Sequence, residues 1–521
     1  MKKNILFILV TWMFMQACYE DKGHYSYIEP NEITMDMGFV GDLQTYVGEE
    51  FYFRPKKVSW SRPQDSTDFK FWWEENNVVS AEGTPVVVCT GLELAFIPRE
   101  SGRKTYTLCA QDTTTGLITS WVVPVNAQAV YENGWLVLTE NNGKSELSLI
   151  RPEYEIEGEV KRRVYTPFIN IFEGRDLGSG PLKVRFLYSS QASIVLVIQE
   201  DEPLWLNGLT MEPDVKLANE FVGGVPAGFR PKDFFENSRC GVVLDANGNV
   251  YTRNPDGSNV FYTSEFVSFP LRYKGEEVKV ESLIRTDVNV VMHDREKGRL
   301  LWLASDYFSQ CMMFEAAKSN VPGFLDLSDM GDARVIFCSG YNEISAGFPR
   351  TDFVLLYEKG GETYLQTWRS NYDNRQNPTL IVFDNNDGNH PETNEVFKGK
   401  GFISDESVFY MSVMSSYLFF ATDGVVYWYN VITGETCRFY DEYAGKAKVI
   451  AFSTNPQENE LGVAMQTTDG ARFMTLKISS DALYATSKLC DYAIPGKMIY
   501  MDYKFKNTTQ KGFRNYSFGW D

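Results

Sequence analysis

GWLVLTE at 134–140 runs through a polar turn into SELSLI at 145–150, and this unit recurs along the chain. An apolar strand meets an Asn/Asp/Gly turn, then a second strand that usually carries a bulky aromatic. Copies are ASIVLVIQ, EDEP, LWLNG (192–208); CGVVL, DANGN, VYTR (240–253); and VNVVM, HDREKGR, LLWLA (288–304). Further copies are DFVLLY, EKGGE, TYLQTW (352–368); YLFFA, TDG, VVYWY (417–429); and ELGVAM, QTTDGA, RFMTLKI (460–478). Seven copies spaced roughly 40 to 65 residues apart, each with a few short strands, predict a seven-bladed β-propeller over 128–521.

KVRFLYS (183–189), KVESLI (279–284), RVIFCSG (334–340) and KVIAFS (448–453) add a further strand ahead of most repeats. The first repeat has none directly before it. KMIYMDYKFK at 497–506 has the same Lys-apolar-Ile opening, so it is expected to pair beside GWLVLTE and close the ring. RPKDFFENS, ahead of the third repeat, reads as a poor strand. Trp205, Trp302, Trp368 and Trp428, with Tyr251 and Phe473, fall at similar places in the second strand of their repeats. Such equivalence predicts packing between adjacent blades rather than sugar-stacking platforms.

The chain has 521 residues, of which 43% are hydrophobic and 15% aromatic, enough for more than one packed core. Helical periodicity is nearly absent after the first twenty residues, so the class is all-β. With 69 acidic against 50 basic residues the net charge is −19, which argues against nucleic acid as a partner. His24, His293 and His390 are the only histidines and are scattered, a poor basis for a multi-His metal site or a Ser-His-Asp triad.

Residues 1–17 read as a secretion signal: Lys2 and Lys3, then an apolar core from Ile5 to Met15 too short to span a bilayer. It ends MQAC, which resembles a lipobox, with Cys18 as the lipidated residue. Residues 18–45 form a polar, Tyr-rich tether, and 46–127 a separate β-sandwich. EEFYFRPKKV, DFKFWWEENN, TPVVVCTGLELAFIP, GRKTYTLCAQD and LITSWVVPVNA there alternate apolar and polar positions between turns. In 69–75, Phe69, Phe71 and Trp73 share one face while Lys70, Trp72 and Glu74 share the other. Trp72 is therefore the one ligand-binding candidate, set against burial by a neighbouring loop or domain.

Cys18 followed by YEDKG, tyrosines and Asn31-Glu32, the aromatic-Trp strand, the GRKTYTL strand, and then NGWLVL resemble the PKD-like surface lipoproteins of Bacteroidetes. The resemblance implies a lipid-anchored outer-membrane protein, exposed at the cell surface. It also implies partnership with a TonB-dependent transporter and its lid lipoprotein. The family's motifs are structural, so only Cys18 carries over as a functional position.

Chemistry is sparsely signalled. FDNNDGNHPETN at 383–394 lacks the alternating oxygen spacing of a calcium loop and reads as a turn. No metal-ligand spacing, cofactor motif, phosphate loop or nucleophile motif appears. Cys89 and Cys109 lie in successive strands, as a disulfide or as two buried thiols. The expectation is a non-catalytic binding or accessory component of a nutrient-uptake complex, taking glycan or peptide. A surface glycoside hydrolase or polysaccharide lyase using loop carboxylates is the first alternative. A purely structural partner of the transporter is the second.

Overall fold

The computed structural model describes residues 31–505 except 63–67, 80–82, 158–159, 190–191, 237–240, 254–264, 286–288, 306–310, 317–321, 342–350, 372–379, 384–392, 413–414 and 479–486. Strands dominate; two 3-10 turns, Leu217–Glu220 and Lys400–Phe402, are the helical elements among the described residues. The chain divides into two compact units, 1–128 and 129–521.

The first unit is a sandwich. Its larger sheet has five strands, in the order Leu43–Tyr46, Ile118–Gln128, Gly102–Asp112, Phe69–Val79 and Pro85–Thr90. Two small pairs complete it: Phe51–Phe53 with Leu94–Phe96, and Ile33–Asp36 with Lys57–Trp60. Trp73, Leu94, Tyr106, Leu108, Val123 and Val125 form its core. Among the described residues the sandwich thus begins at Ile33, earlier than the expected start at 46. ITMD has the two-residue period of a half-buried strand, and Ile33 and Met35 pack with Trp60 and Phe69. Within the expected tether, 43–46 also joins the larger sheet, parallel to Ile118–Gln128.

The second unit is a ring of seven blades. Its innermost strands are Lys497–Lys504, Pro181–Ser189, Pro231–Glu236, Val280–Arg285, Arg334–Tyr341, Val408–Met411 and Ala447–Thr454. Each lies against the next in that order, and the last lies against the first. Each sheet is itself open, so the circle is completed by packing and by one late strand. Lys497–Lys504 pairs antiparallel with Gly134–Asn141, placing Leu136 opposite Asp502 and Val137 opposite Met501. This is the pairing expected of the C-terminal segment. Pro231–Glu236 is the inner strand of blade 3, a correction to the poor reading of RPKDFFENS. Its central Phe234 and Phe235 are both buried, and burial on both faces outweighs the weak alternation.

Local sequence explains the hairpins. Asn142-Gly143, Gly360-Gly361 and Asp423-Gly424 all have positive φ at both positions, the type I′ geometry that Asn-Gly, Gly-Gly and Asp-Gly favour. Gly134 opens the first strand because a Cβ there would stand 2.4 Å from the Ile150 carbonyl oxygen. Two blades depart from the expectation of separate, similar sheets. Leu380–Phe383 pairs with both Cys311–Ala316 and Glu362–Asn371, fusing blades 4 and 5 into one nine-stranded sheet.

Candidate functional site

The recurring aromatics are buried. Trp205, Trp302, Trp368, Trp428, Tyr251 and Phe473 are each at most 4% exposed. Trp205 meets Phe234 of the next blade edge-on at 5.0 Å, and Trp302 meets Phe353 of the next blade at 6.2 Å. Trp428 belongs to a cluster that includes Val449, Leu461 and Val463 of blade 7. Across the closure, Trp135 contacts Tyr503 at 4.8 Å and Phe473 at 5.6 Å, and its Nε1 donates to the Ser453 carbonyl. These rings bind blade to blade, as equivalent placement predicts.

Polar chemistry concentrates where three innermost strands meet. Lys183 and Arg185 stand at i and i+2 on the blade 2 strand, Asp233 on that of blade 3, and Tyr500, Asp502 and Lys504 on the closing strand. Arg185 donates through Nε and Nη2 to Asp233 at 2.9 to 3.0 Å, and through Nη1 to Tyr500 Oη at 3.0 Å. Lys183 reaches Asp233 at 2.7 Å, and Asp502 accepts from the Phe186 amide at 3.0 Å. Both cations also lie 5.2 Å from the Tyr500 ring centre. Burial alone would raise the Asp233 carboxyl, but Arg185 and Lys183 outweigh it and hold it well below the usual range. Burial pulls the other way on Arg185, whose guanidinium Asp233, Tyr500 and Asp502 keep charged.

Lys504 differs. Its fully buried ammonium donates to the Glu132 carbonyl at 2.6 Å and sits 5.5 Å over the Phe186 ring. Burial lowers its pKa to about 7, against an opposing pull from Glu132. On the outer part of the closure, Arg163 forms a two-point bridge to Glu460 at 2.8 and 3.2 Å. In blade 7, Asp491 is held low by Arg472, Lys488 and Tyr443 in spite of burial.

The sandwich holds a cleft of about 280 Å³. Val88, Phe96, Tyr106, Val125 and Ala127 supply apolar lining. Lys104 lies on its rim between Glu75 at 2.9 Å and Glu100 at 3.5 Å. Trp72 is not part of it. That indole is half-buried on the opposite sheet face from Trp73, and its Nε1 donates to Glu74 at 2.6 Å.

Cys89 and Cys109 are free thiols. They flank one strand on opposite sides, Cys89 opposite Trp73 and Cys109 opposite Trp72, so they face opposite ways and cannot bond. Burial pushes the Cys109 thiol up to about 11. Cys18, His24, His390 and most of 383–394 lie outside the described residues. Among the described residues no group of His, Cys, Asp and Glu could hold a metal ion. Sequence reading missed the clamp of Lys183, Arg185 and Asp233. Its one visible signal is a pair of cations two residues apart in an otherwise apolar strand.

Residues 18–181 match the PKD-like family, a range covering the sandwich and the first blade's strands up to Pro181. No curated protein matches this chain. A quinoprotein alcohol dehydrogenase-like protein from Bacteroides thetaiotaomicron is similar at 10% identity, covering 91% of this chain and 97% of its own, with a TM-score of 0.37. AztD from Citrobacter koseri is similar at 9% identity over 84% of this chain and 97% of its own, with a TM-score of 0.38. A computationally designed protein, Ika8, is similar at 12% identity over 72% of this chain and 92% of its own, with a TM-score of 0.34.

Proposed function

We propose that this chain is a non-catalytic binding or accessory component of an outer-membrane nutrient-uptake complex, held to the cell surface by lipid on Cys18. In this reading it works beside a TonB-dependent transporter and its lid lipoprotein. The observation that carries the non-catalytic part is the state of two carboxylates, buried Asp233 and part-buried Asp491. A hydrolase acting through carboxylates needs one whose pKa is raised, so that it can donate a proton near neutrality. Asp233 and Asp491 are instead held down by cations, and each ties neighbouring strands together. The surface-anchored part is supported by the family match, which begins at Cys18. Tethering would raise the local concentration of captured glycan or peptide beside the pore without tight affinity.

The test is incubation of the purified protein with glycan and peptide panels, with affinity capture from membranes in parallel. Retention of a ligand without product, together with co-purification of a transporter, is the expected result. Release of shortened product makes the protein a hydrolase or lyase. Transporter capture with no ligand retained makes it a structural partner only.

A further inference from the structure

Two uncharged apolar segments of the ring, Phe221–Phe229 (FVGGVPAGF) and Phe266–Leu271 (FVSFPL), are fastened together into one projection. Phe221 and Phe266 form an isolated parallel bridge, and the Val222 amide donates to the Phe266 carbonyl at 2.9 Å. Ser268 Oγ contacts the Val222 carbonyl and lies 2.9 Å from that of Gly224. Beneath, Phe221, Phe229 and Tyr251 pack edge to face with centroids 5.0 to 5.7 Å apart. Above this floor the apolar side chains turn outward: Phe269 is 70% exposed, Val222 41% and Val225 40%. A braced tip that leaves a phenyl ring and two valines in water is costly unless something covers them.

We infer that this tip inserts into the interfacial region of a lipid bilayer. Lipid fits it better than a protein groove, because the tip offers no hydrogen-bonding side chain except Ser268, which is already spent on the Val222 and Gly224 carbonyls of the facing segment. Phenyl and valyl groups need only an apolar medium, and aromatic rings are favoured at the membrane interface. The bracketing charges also suit phosphate headgroups. Exposed Arg230 follows the first segment, and exposed Arg272 and Lys274 follow the second. The acids here are Glu220, tied to Arg253, Glu265, Glu276, 3.4 Å from Lys297, and Glu277, 3.3 Å from Arg272. Because backbone hydrogen bonds already order the loops, little conformational freedom is lost on insertion. The inference deepens the surface-lipoprotein reading, since a tethered protein rests beside a bilayer. Mass spectrometry of Cys18 separates a failure of that reading from a failure of this one.

The experiment is vesicle flotation of the chain from Tyr19 onward, which keeps both folded units but carries no lipid. Phosphatidylcholine vesicles are compared with vesicles that also contain phosphatidylglycerol. Wild type is expected to float with both and more strongly with the anionic set. Phe269→Asp should lower the bound fraction about tenfold or more, since burying one aromatic ring is worth at least that factor. Arg230→Gln with Lys274→Gln should remove only the gain due to phosphatidylglycerol. Ile432→Asp, at an exposed apolar site of blade 6, should float as wild type. Unchanged melting of each variant excludes unfolding. No flotation of wild type, or flotation indifferent to Phe269→Asp, overturns the inference. So does an effect of Phe269→Asp confined to capture of a protein partner.

Discussion

Arg185 spends every strong contact on groups from two other blades, which makes it the residue on which the closure turns. Removing its anion should be worse than removing the pair. Asp233→Ala leaves two cations facing a buried gap and is expected to cost the ring about 3–5 kcal/mol in denaturant unfolding. Arg185→Met with Asp233→Leu should cost less, because only Lys183, itself partly exposed, is then left without its anion. Lys504 makes a pH-dependent prediction whose sign follows from linkage. Its folded pKa of about 7 lies below its ordinary value of 10.5, so between these limits the unfolded chain binds the extra proton. Stability therefore rises with pH across that window, and below about pH 7 the contribution is flat and unfavourable. Relative to Lys504→Met, wild-type unfolding free energy should gain up to about 1.4 kcal/mol per pH unit from pH 7 to 9. A flat difference would show that Lys504 is charged in the folded ring.

Single elements record how much of this fold was readable beforehand. GWLVLTE, its Asn-Gly turn and SELSLI were legible because a hairpin is decided by neighbours in sequence. The closing strand was legible because KMIYMD repeats the pattern of the other inner strands. Pro231–Glu236 was not, since its two phenylalanines are adjacent and break the alternation. The clamp was hidden for another reason: Arg185 and Tyr500 are 315 positions apart, and no local pattern joins them. Two substitutions test the element-level account. At Gly143, φ is +78°, so Gly143→Ala should cost about 1–2 kcal/mol through strain alone. Gly462 is extended, but a Cβ there would stand 2.3 Å from Trp135 Nε1. Gly462→Ala should therefore destabilise by about 1–3 kcal/mol. Trp135→Leu in that background should cost less than it does alone, because the collision is relieved.

At the scale of the whole chain, the sandwich and the ring each hold their own core, so damage to one need not erase the other. Ending the chain at Gly496 removes the inner strand of blade 1 and exposes the backbone edge of Gly134–Asn141. Calorimetry of that truncation should show the ring's transition lost or broadened while a sandwich transition persists. The truncated protein should also aggregate through the uncovered edge. Retention of the full ring transition would mean that packing alone suffices.

That same strand sets a clock. The ammonium of Lys504 meets a carbonyl lying 372 positions earlier in the chain, so the first blade is manufactured long before its seal exists. For most of synthesis it must wait half-dressed, and the entropy of drawing such distant ends together is met only once. Whatever delays Lys497–Lys504 therefore holds the entire circle ajar.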